Sequence, residues 1–411
     1  MSELTASKKG VVISTVIVAA LGYFVDIYDL LLFSIVRVQS LKDIGIAEGE
    51  VLKNVGISLL NWQMTGMLIG GIAWGILGDK RGRLSVLFGS IILYSLANIA
   101  NGFVETVEQY KWLRLISGIG LAGELGAGIT LVSEVMSKEK RGYGTAIVAS
   151  IGIMGAVVAY FVARTWDWRT AYFVGGGLGL ALLVLRISVY ESGMFKNVQQ
   201  TQVERGNFLK LFTKRDLFFK YLKCICIGLP TWYIVGILVA LALEFSKAYN
   251  MTELADPGRA VMWCYTGLTL GDLSSGLLSQ FLKSRKKAMY VFLSISTATI
   301  AFYLSSKNIS LDFFYFKTFL MGFGAGFWAV FVTIASEQFG TNIRATVTTT
   351  VPNFARGSLV PISMAFAYFQ NYTNIVGSAF IIGGICMTIA FIALATMRET
   401  FNKDLDYLET L

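Results

Sequence analysis

The sequence predicts an all-α integral membrane protein: twelve transmembrane helices in two six-helix repeats, with both termini cytoplasmic. Three observations carry that expectation. Of the 411 residues, 55% are hydrophobic and only 15% charged, against roughly a quarter charged in soluble domains. Apolar runs of about 20 residues, enough for one helical crossing of a ~30 Å hydrocarbon core, recur from end to end. The bases gather in alternate loops, the pattern of cytoplasmic connections.

The first apolar run, 11–36, follows Lys8 and Lys9. It is longer than a cleavable signal core of about 7–15 residues and no small-residue cleavage site follows, so it is read as a retained helix. Run 57–78 precedes Lys80, Arg81 and Arg83, and run 86–104 leads into a loop where Glu105 and Glu108 offset Lys111. Run 113–135 ends before Lys138, Lys140 and Arg141, and runs 143–165 and 169–190 complete the first set. Residues 191–220 form the one long polar interruption, and NFLKLFTKRDLFFKYLK within it reads as an amphipathic helix at the cytoplasmic surface. The second set is 221–246, 259–281, 288–306, 312–336, 345–369 and 375–397, with Lys283, Arg285, Lys286 and Lys287 after its second member. The expected organisation is therefore a bundle over 1–190, a linker over 191–220 and a second bundle over 221–411.

This charge layout explains the net +9 as topology rather than as a nucleic-acid footprint. Cys224, Cys226, Cys264 and Cys386 all lie inside apolar runs without metal-ligand spacing and read as small buried hydrophobes. The chain has no histidine, so proton chemistry inside the membrane falls to carboxylates. No metal-ligand cluster, nucleophile–base pair or soluble domain stands out. An enzyme or receptor therefore finds no support, and no cofactor or metal is expected beyond a proton as coupling ion.

The two sets repeat each other. At an offset of 203 residues Arg114 falls on Lys317, Ala122 on Ala325, Gly123 on Gly326, Glu134 on Glu337 and Arg141 on Arg344. The shared E-x6-R spacing in one cytoplasmic loop of each half is the specific part of the match. A weaker echo pairs GILGDKRGR (75–83) with GLLSQFLKSRKK (276–287). Parallel six-helix repeats holding a substrate between them near the midplane are a transporter architecture.

In GILGDKRGR the glycines allow close helix approach and a tight turn, and Asp79 can pair with a neighbouring base or a helix N-terminus. The stretch resembles the loop signature of the major facilitator superfamily, G-x-L-x-D-[RK]-x-G-R, matched at Gly75, Leu77, Asp79, Lys80, Gly82 and Arg83, with Arg81 between. R-x3-G-x-G-x-A-G-E from Arg114 to Glu124 looks like the fourth-helix pattern of its sugar porters, metabolite–proton symporters and organic-ion transporters. EVMSKEKRG (134–142) looks like the loop that follows, and RETFNKDLDYLE near the C-terminus loosely resembles the closing segment. The resemblance covers essentially the whole chain. It implies the major facilitator fold, alternating access about one central site and a working monomer. Glu134, Arg141, Glu337 and Arg344 join the loop residues as conformational motif positions.

Charges inside the apolar runs are costly and mark candidate sites. Asp26 and Asp29 share one helix face, because residues three apart are neighbours. Tyr28, Asp29 and Ser34 match the G-Y-D-x4-S stretch of proton-linked sugar porters, although Ile27 replaces the glycine. The resemblance implies that Asp29 partners Arg114, either as a proton-coupling switch or as a structural pair. Asp26 reads as a substrate contact or a structural neighbour. Glu124, in its A-G-E setting, reads as a binding or coupling carboxylate. Arg356 lies between Pro352 and Pro361, which can hinge or kink that helix, and its spacing of twelve from Arg344 resembles organic-anion carriers that bind anions there. A guanidinium suits a carboxylate through bidentate hydrogen bonds; the alternative is an internal pair with Asp272. Trp62, Trp232, Tyr233 and Trp328 read mostly as packing or interfacial belt, with Tyr233 and Trp328 the choices for cavity walls. The seventh run offers LPTWYIVG where sugar porters carry Q-Q-x3-N, which argues against a hexose.

The expectation is thus a proton-coupled uptake transporter for a small anionic or zwitterionic metabolite, a carboxylate or amino acid, in a bacterial inner membrane. A proton-driven exporter and an uncoupled facilitator of the same fold are the alternatives.

Overall fold

A computed structural model describes residues 2–81, 83–124, 126, 132, 136, 141–191, 208–212, 214–340 and 343–403. The side chains of Asp79, Lys80, Arg81, Arg83 and Arg141, and all of Gly82 and Glu134, lie outside the described part. Every regular element among the described residues is helical. In chain order these are α1 (Ser2–Asp43), α2 (Glu50–Arg81), α3 (Arg83–Asn101), α4 (Val107–Leu121), α5 (Arg141–Thr165) and α6 (Trp168–Glu191). A short 3-10 turn (Phe208–Phe212) precedes α7 (Arg215–Cys226) and α8 (Leu229–Tyr233); a π-helical stretch (Ile234–Val239) leads to α9 (Ala242–Ala248). Then come α10 (Pro257–Phe281), α11 (Arg285–Leu304), α12 (Leu311–Ala325), α13 (Trp328–Gln338), α14 (Arg344–Gly357), α15 (Leu359–Gln370) and α16 (Ile375–Thr396).

Local chemistry fixes the helix starts. Thr106 and Gln109 form a reciprocal capping box at α4. Asp256 caps α10 with Pro257 in the first turn, Ser284 caps α11, Ser310 caps α12 and Asn374 caps α16. Eight described helical stretches are long and apolar enough to cross a membrane, and Ser85–Asn101 is a shorter apolar helix. Ile17, Leu96, Phe161, Val184, Ile389 and Ile392 are exposed on the outside of the bundle, as hydrocarbon contact requires.

Three of the expected spans are broken, the eleventh of them between its two prolines. The seventh is divided into α7, α8, the π stretch and α9; the tenth breaks at Gly326–Phe327; the eleventh divides at Ser358 between α14 and α15. Pro230 stands in the first turn of α8 and Pro352 inside α14, where a missing N–H loosens the ladder. Breaks at membrane depth are tolerated where protein groups satisfy the freed backbone.

The packing repeats. α2 lies along α4 and α10 along α12; α3 lies against α4 and α6, and α11 against α12 and α16. Both long contacts are glycine-mediated. A Cβ on Gly66 would fall onto the Leu115 carbonyl and one on Gly267 onto the Phe319 carbonyl, so these backbones approach as only small residues allow. The two sets meet through α2 against α14 and α5 against α10, with α1 running beside the seam.

Candidate functional site

A cluster of buried charges lies where α1 meets the second set of helices. Asp26 is fully buried, and Arg356 Nη2 donates to its Oδ2 at 3.5 Å. Asp26 Oδ1 has no donor and Arg356 Nε no acceptor. Arg356 Nη1 approaches Asn353 Oδ1 at 3.5 Å, while Asn353 Nδ2 donates to the Ala122 carbonyl of the chain following α4 at 2.7 Å. Two indoles flank the guanidinium: Cζ sits 6.0 Å from the Trp232 ring centre and 5.9 Å from that of Trp328. The rings are themselves edge-to-face at 6.4 Å, and neither indole N–H has an acceptor. Tyr23 and Tyr265 share the same electrostatic neighbourhood. A cation, a carboxylate, two aromatic faces and several unspent hydrogen-bonding atoms thus meet at one point between the halves.

The other predicted residues are placed differently. The expected Asp29–Arg114 ion pair is not formed. Neither oxygen of Asp29 has a hydrogen-bond partner, although its side chain packs against Gly175 of α6. Arg114 instead donates to the Tyr172 hydroxyl at 3.3 Å and lies 5.2 Å from the Phe33 ring centre. Aromatic rings of α1 and α6 thus flank the guanidinium, and of its nitrogens Nε and Nη2 have no hydrogen-bond partner. Nor does Arg356 pair with Asp272, whose Oδ1 accepts the Ala329 N–H at 2.8 Å and so caps α13 across the break in the tenth span. Glu124 is taken by Arg186 of α6: Nη1 donates to Oε2 at 3.0 Å and Nη2 bonds Oε1. That pair lies over Gly22, where a Cβ would strike both side chains. Tyr233 is fully buried and donates to the Ala379 carbonyl at 2.6 Å, which makes it a strut between α8 and α16. Trp62 packs on the exposed Trp112. Among the motif positions, Gly75 faces Thr346 and Thr350 of α14. Glu337 pairs with Arg285 at 3.2 Å, whereas Arg344 donates to the Ser336 and Phe339 carbonyls.

A second charged constellation lies three helical turns further along α1. Arg37 is fully buried and its Nη2 donates to both oxygens of Glu244 on α9 at 3.1 Å and to the Ala240 carbonyl. Glu244 forms part of the wall of a cavity of about 1030 Å³ that also includes Gln39, Lys42, Lys53, Arg164 and Lys247.

The sequence profile of the Major Facilitator Superfamily matches residues 19–357. The chain belongs to the Major Facilitator Superfamily. Members of this superfamily are transporters and not enzymes, and the chain is a multi-pass membrane transporter with that fold. Its structure resembles that of the MFS proton:xylose symporter XylE bound to 6-bromo-6-deoxy-D-glucose, with a TM-score of 0.71 over 98% of this chain and 99% of the other at 16% identity. Among relatives, a Cupriavidus pinatubonensis protein named "Probable 4-methylmuconolactone transporter" is 26% identical, aligned over 92% of this chain and 84% of its own. The niacin transporter NiaP of Acinetobacter baylyi is 25% identical over 80% of each chain. The sialic acid transporter NanX of Escherichia coli is 25% identical over 93% of this chain and 92% of its own.

Sequence reasoning missed Arg186, Arg37, Glu244 and Asn353 in this MFS transporter. The two arginines lie at or just beyond the ends of apolar runs, at 169–190 and 11–36, where a base ordinarily reads as an interfacial anchor. Asn353 was hidden by having no charge.

Proposed function

We propose that the chain is a proton-coupled importer of small organic anions, taking one proton with each monocarboxylate. The observation that carries this reading is the Asp26–Arg356 pair: both partners fully buried, one on α1 and one on α14, joined by a single 3.5 Å contact. A substrate carboxylate can satisfy the Arg356 fork better than that one long contact does, and in taking Arg356 it releases Asp26. A lone ionised carboxylate in a closed membrane cavity costs several kcal/mol, so Asp26 takes up a proton as the anion binds. Anion and proton then bind together or not at all, which is what coupling requires.

Charge bookkeeping supports the ratio. Among the described residues of the central cluster, Asp26, Asp29, Glu124 and Asp272 face Arg114, Arg186 and Arg356. The cluster is neutral when one carboxylate carries a proton, and Asp29, with no donor on either oxygen, is the natural holder. Adding a monoanion restores neutrality only with one further proton. The Trp232 and Trp328 faces favour a substrate with a flat apolar body, in keeping with the lactone and niacin named for two of the relatives.

The test is reconstitution in liposomes with labelled benzoate, butyrate and glucuronate, with and without an inward proton gradient. Gradient-driven accumulation of at least one acid, independent of membrane potential and abolished by Arg356→Ala, is expected. Uptake that ignores the gradient, or survives Arg356→Ala, refutes the reading.

A further inference from the structure

Arg37 repeats the design of Arg356. Each is a fully buried guanidinium bridging to a carboxylate on the opposite set of helices, and each keeps unspent donors: Nε in Arg356, Nε and Nη1 in Arg37. Each carboxylate partner is one that an incoming anion could replace. The difference lies in access. Glu244 belongs to the wall of the 1030 Å³ cavity at the end of the bundle where α1 finishes, and Arg37 lies behind it. Arg37 is seated on Gly56 of α2, where a Cβ would strike its Cδ, so the guanidinium is held in place from the far side.

Much of the other charge in that cavity is already spent. Lys42 pairs with Glu48, Lys53 with Glu50 at 2.6 Å, and Asp256 caps α10 through the Gly258 N–H. Arg164 and Lys247 add positive charge to the wall. A carboxylate entering this space therefore meets a wall with four bases and four acids, one of them the displaceable Glu244 in front of a buried arginine with two unspent donor nitrogens. Asp26 and Arg37 are eleven residues apart on one helix, about 16 Å at 1.5 Å per residue.

We propose that Arg37 is a second carboxylate-binding site, reached through the cavity when the substrate displaces Glu244 and occupied before the anion moves on to Arg356. The inference rests on the anion-transport reading above and adds a waiting site to it. At the moment of exchange the anion takes the Arg37 donors and Glu244 turns to the cavity water, which its 15% side-chain exposure already touches. No proton need move at this outer step, in contrast to the inner one, because the displaced acid is at the edge of solvent rather than sealed in.

Benzoate binding to the full-length protein in detergent, followed as a rise in thermal midpoint against concentration, tests this. In Arg356→Gln the tight phase is lost and a weaker phase remains. Adding Glu244→Gln to that background removes the competitor and strengthens the weak phase about tenfold, the scale of one charge-assisted hydrogen bond. Adding Arg37→Gln abolishes it, and Arg37→Lys, which keeps charge without the fork, leaves only a fraction. The unliganded thermal midpoint of each variant reports whether it is folded. If Arg356→Gln binds no benzoate and Glu244→Gln does not restore any, Arg37–Glu244 is only a latch between the halves and the proposal is overturned. If the unsubstituted protein binds none of benzoate, butyrate or glucuronate, the anion reading itself falls, which is a distinct result.

Discussion

Asp26→Asn separates binding from coupling. The substitution keeps the size of the side chain and an oxygen for Arg356 Nη2 but removes the negative charge. Charge-assisted hydrogen bonds contribute about 1.5–3 kcal/mol, and the 3.5 Å contact is longer than the usual ~2.7–2.9 Å of such pairs, so about 1.5 kcal/mol is the fitting figure. A substrate anion no longer has to overcome that rival, and its affinity rises about tenfold. Stability moves the other way. Full loss of a partner for a buried charge costs about 3–5 kcal/mol; the retained amide oxygen offsets part of this, and substrate binding offsets more. The assay has three readings on one preparation: thermal midpoint with and without benzoate, counterflow exchange, and accumulation driven by a proton gradient. Expected are a lower midpoint rescued by benzoate, tighter binding, counterflow retained and accumulation lost. Asp29→Asn is the companion: Asp29 holds the standing proton of the cluster, so a neutral amide there should leave both accumulation and anion affinity close to those of the unsubstituted protein. Wild-type accumulation by Asp26→Asn, or anion affinity unmoved by it, would refute the exchange of Asp26 for substrate at Arg356.

Three further outcomes follow. Glu124→Gln leaves Arg186 buried against Gly22 without a charge partner and should destabilise by about 3–5 kcal/mol, whereas Glu124→Gln with Arg186→Gln recovers most of the loss; chemical unfolding of both variants checks this. Gly322→Ala would put a methyl on the Cys264 carbonyl and should cost about 1–3 kcal/mol by forcing α12 off α10, while Gly384→Ala, with open space around it, should be silent in the same melt. At Glu399, burial pushes the carboxyl up, but the Ser284 hydroxyl and the Phe401, Arg285 and Thr400 N–H groups outweigh it and hold the group below its ordinary 4.5. A depressed carboxyl contributes stability that is fully present above 4.5 and is lost as pH falls through the lowered value. Amide protection at Arg285 and Thr400 should therefore drop in acid below 4.5, and in Glu399→Gln it should already be low at neutral pH.

Fold and site were unequally legible. The helices were readable because a bilayer imposes one length and one polarity on every crossing, and the repeat was readable because Glu337 and Arg344 keep their spacing. Of the breaks in the second half, the one in the eleventh span was marked by Pro352 and Pro361, which flank Ser358; the other two were not legible. LPTWYIVG and GFGAGFW are apolar throughout, so hydropathy passes straight over the points where α8 and α13 begin. What marks the start of α13 physically is a polar side chain elsewhere, Asp272 bonding the Ala329 N–H, and such a partner cannot be located from spacing along one chain. The pairing of charges failed for the same reason. The resemblance assigned Asp29 to Arg114, but Arg114 bonds the Tyr172 hydroxyl and packs on Phe33 instead, and aromatic partners leave no charge signal to read.

The outcome changes what the two carboxylates of α1 are for. Asp26 and Asp29 differ by three residues on one helix, yet one faces an arginine across the seam and the other faces only its own half. A carboxylate bonded across the seam resists separation of the halves, so on the proposed reading ionised Asp26 would hold the halves together and protonated Asp26 would loosen them. Asp29 neighbours Asn98, Arg114 and Gly175 of its own half, so by the same reading it could gain or lose a proton without moving the halves. Arg37–Glu244 adds a second bond across the seam on the same helix. On the proposed reading the anion exchanges with these carboxylates in turn, first with Glu244 at Arg37 and then with Asp26 at Arg356. An organic anion can do this at each, whereas a bare proton gradient, which reaches Asp26 without offering Arg356 a new partner, leaves an unpaired buried cation. If the chain is proton-coupled as proposed, that asymmetry would keep the coupling tight: the proton alone would create a worse state than the one it leaves, so the gradient would not be dissipated without substrate.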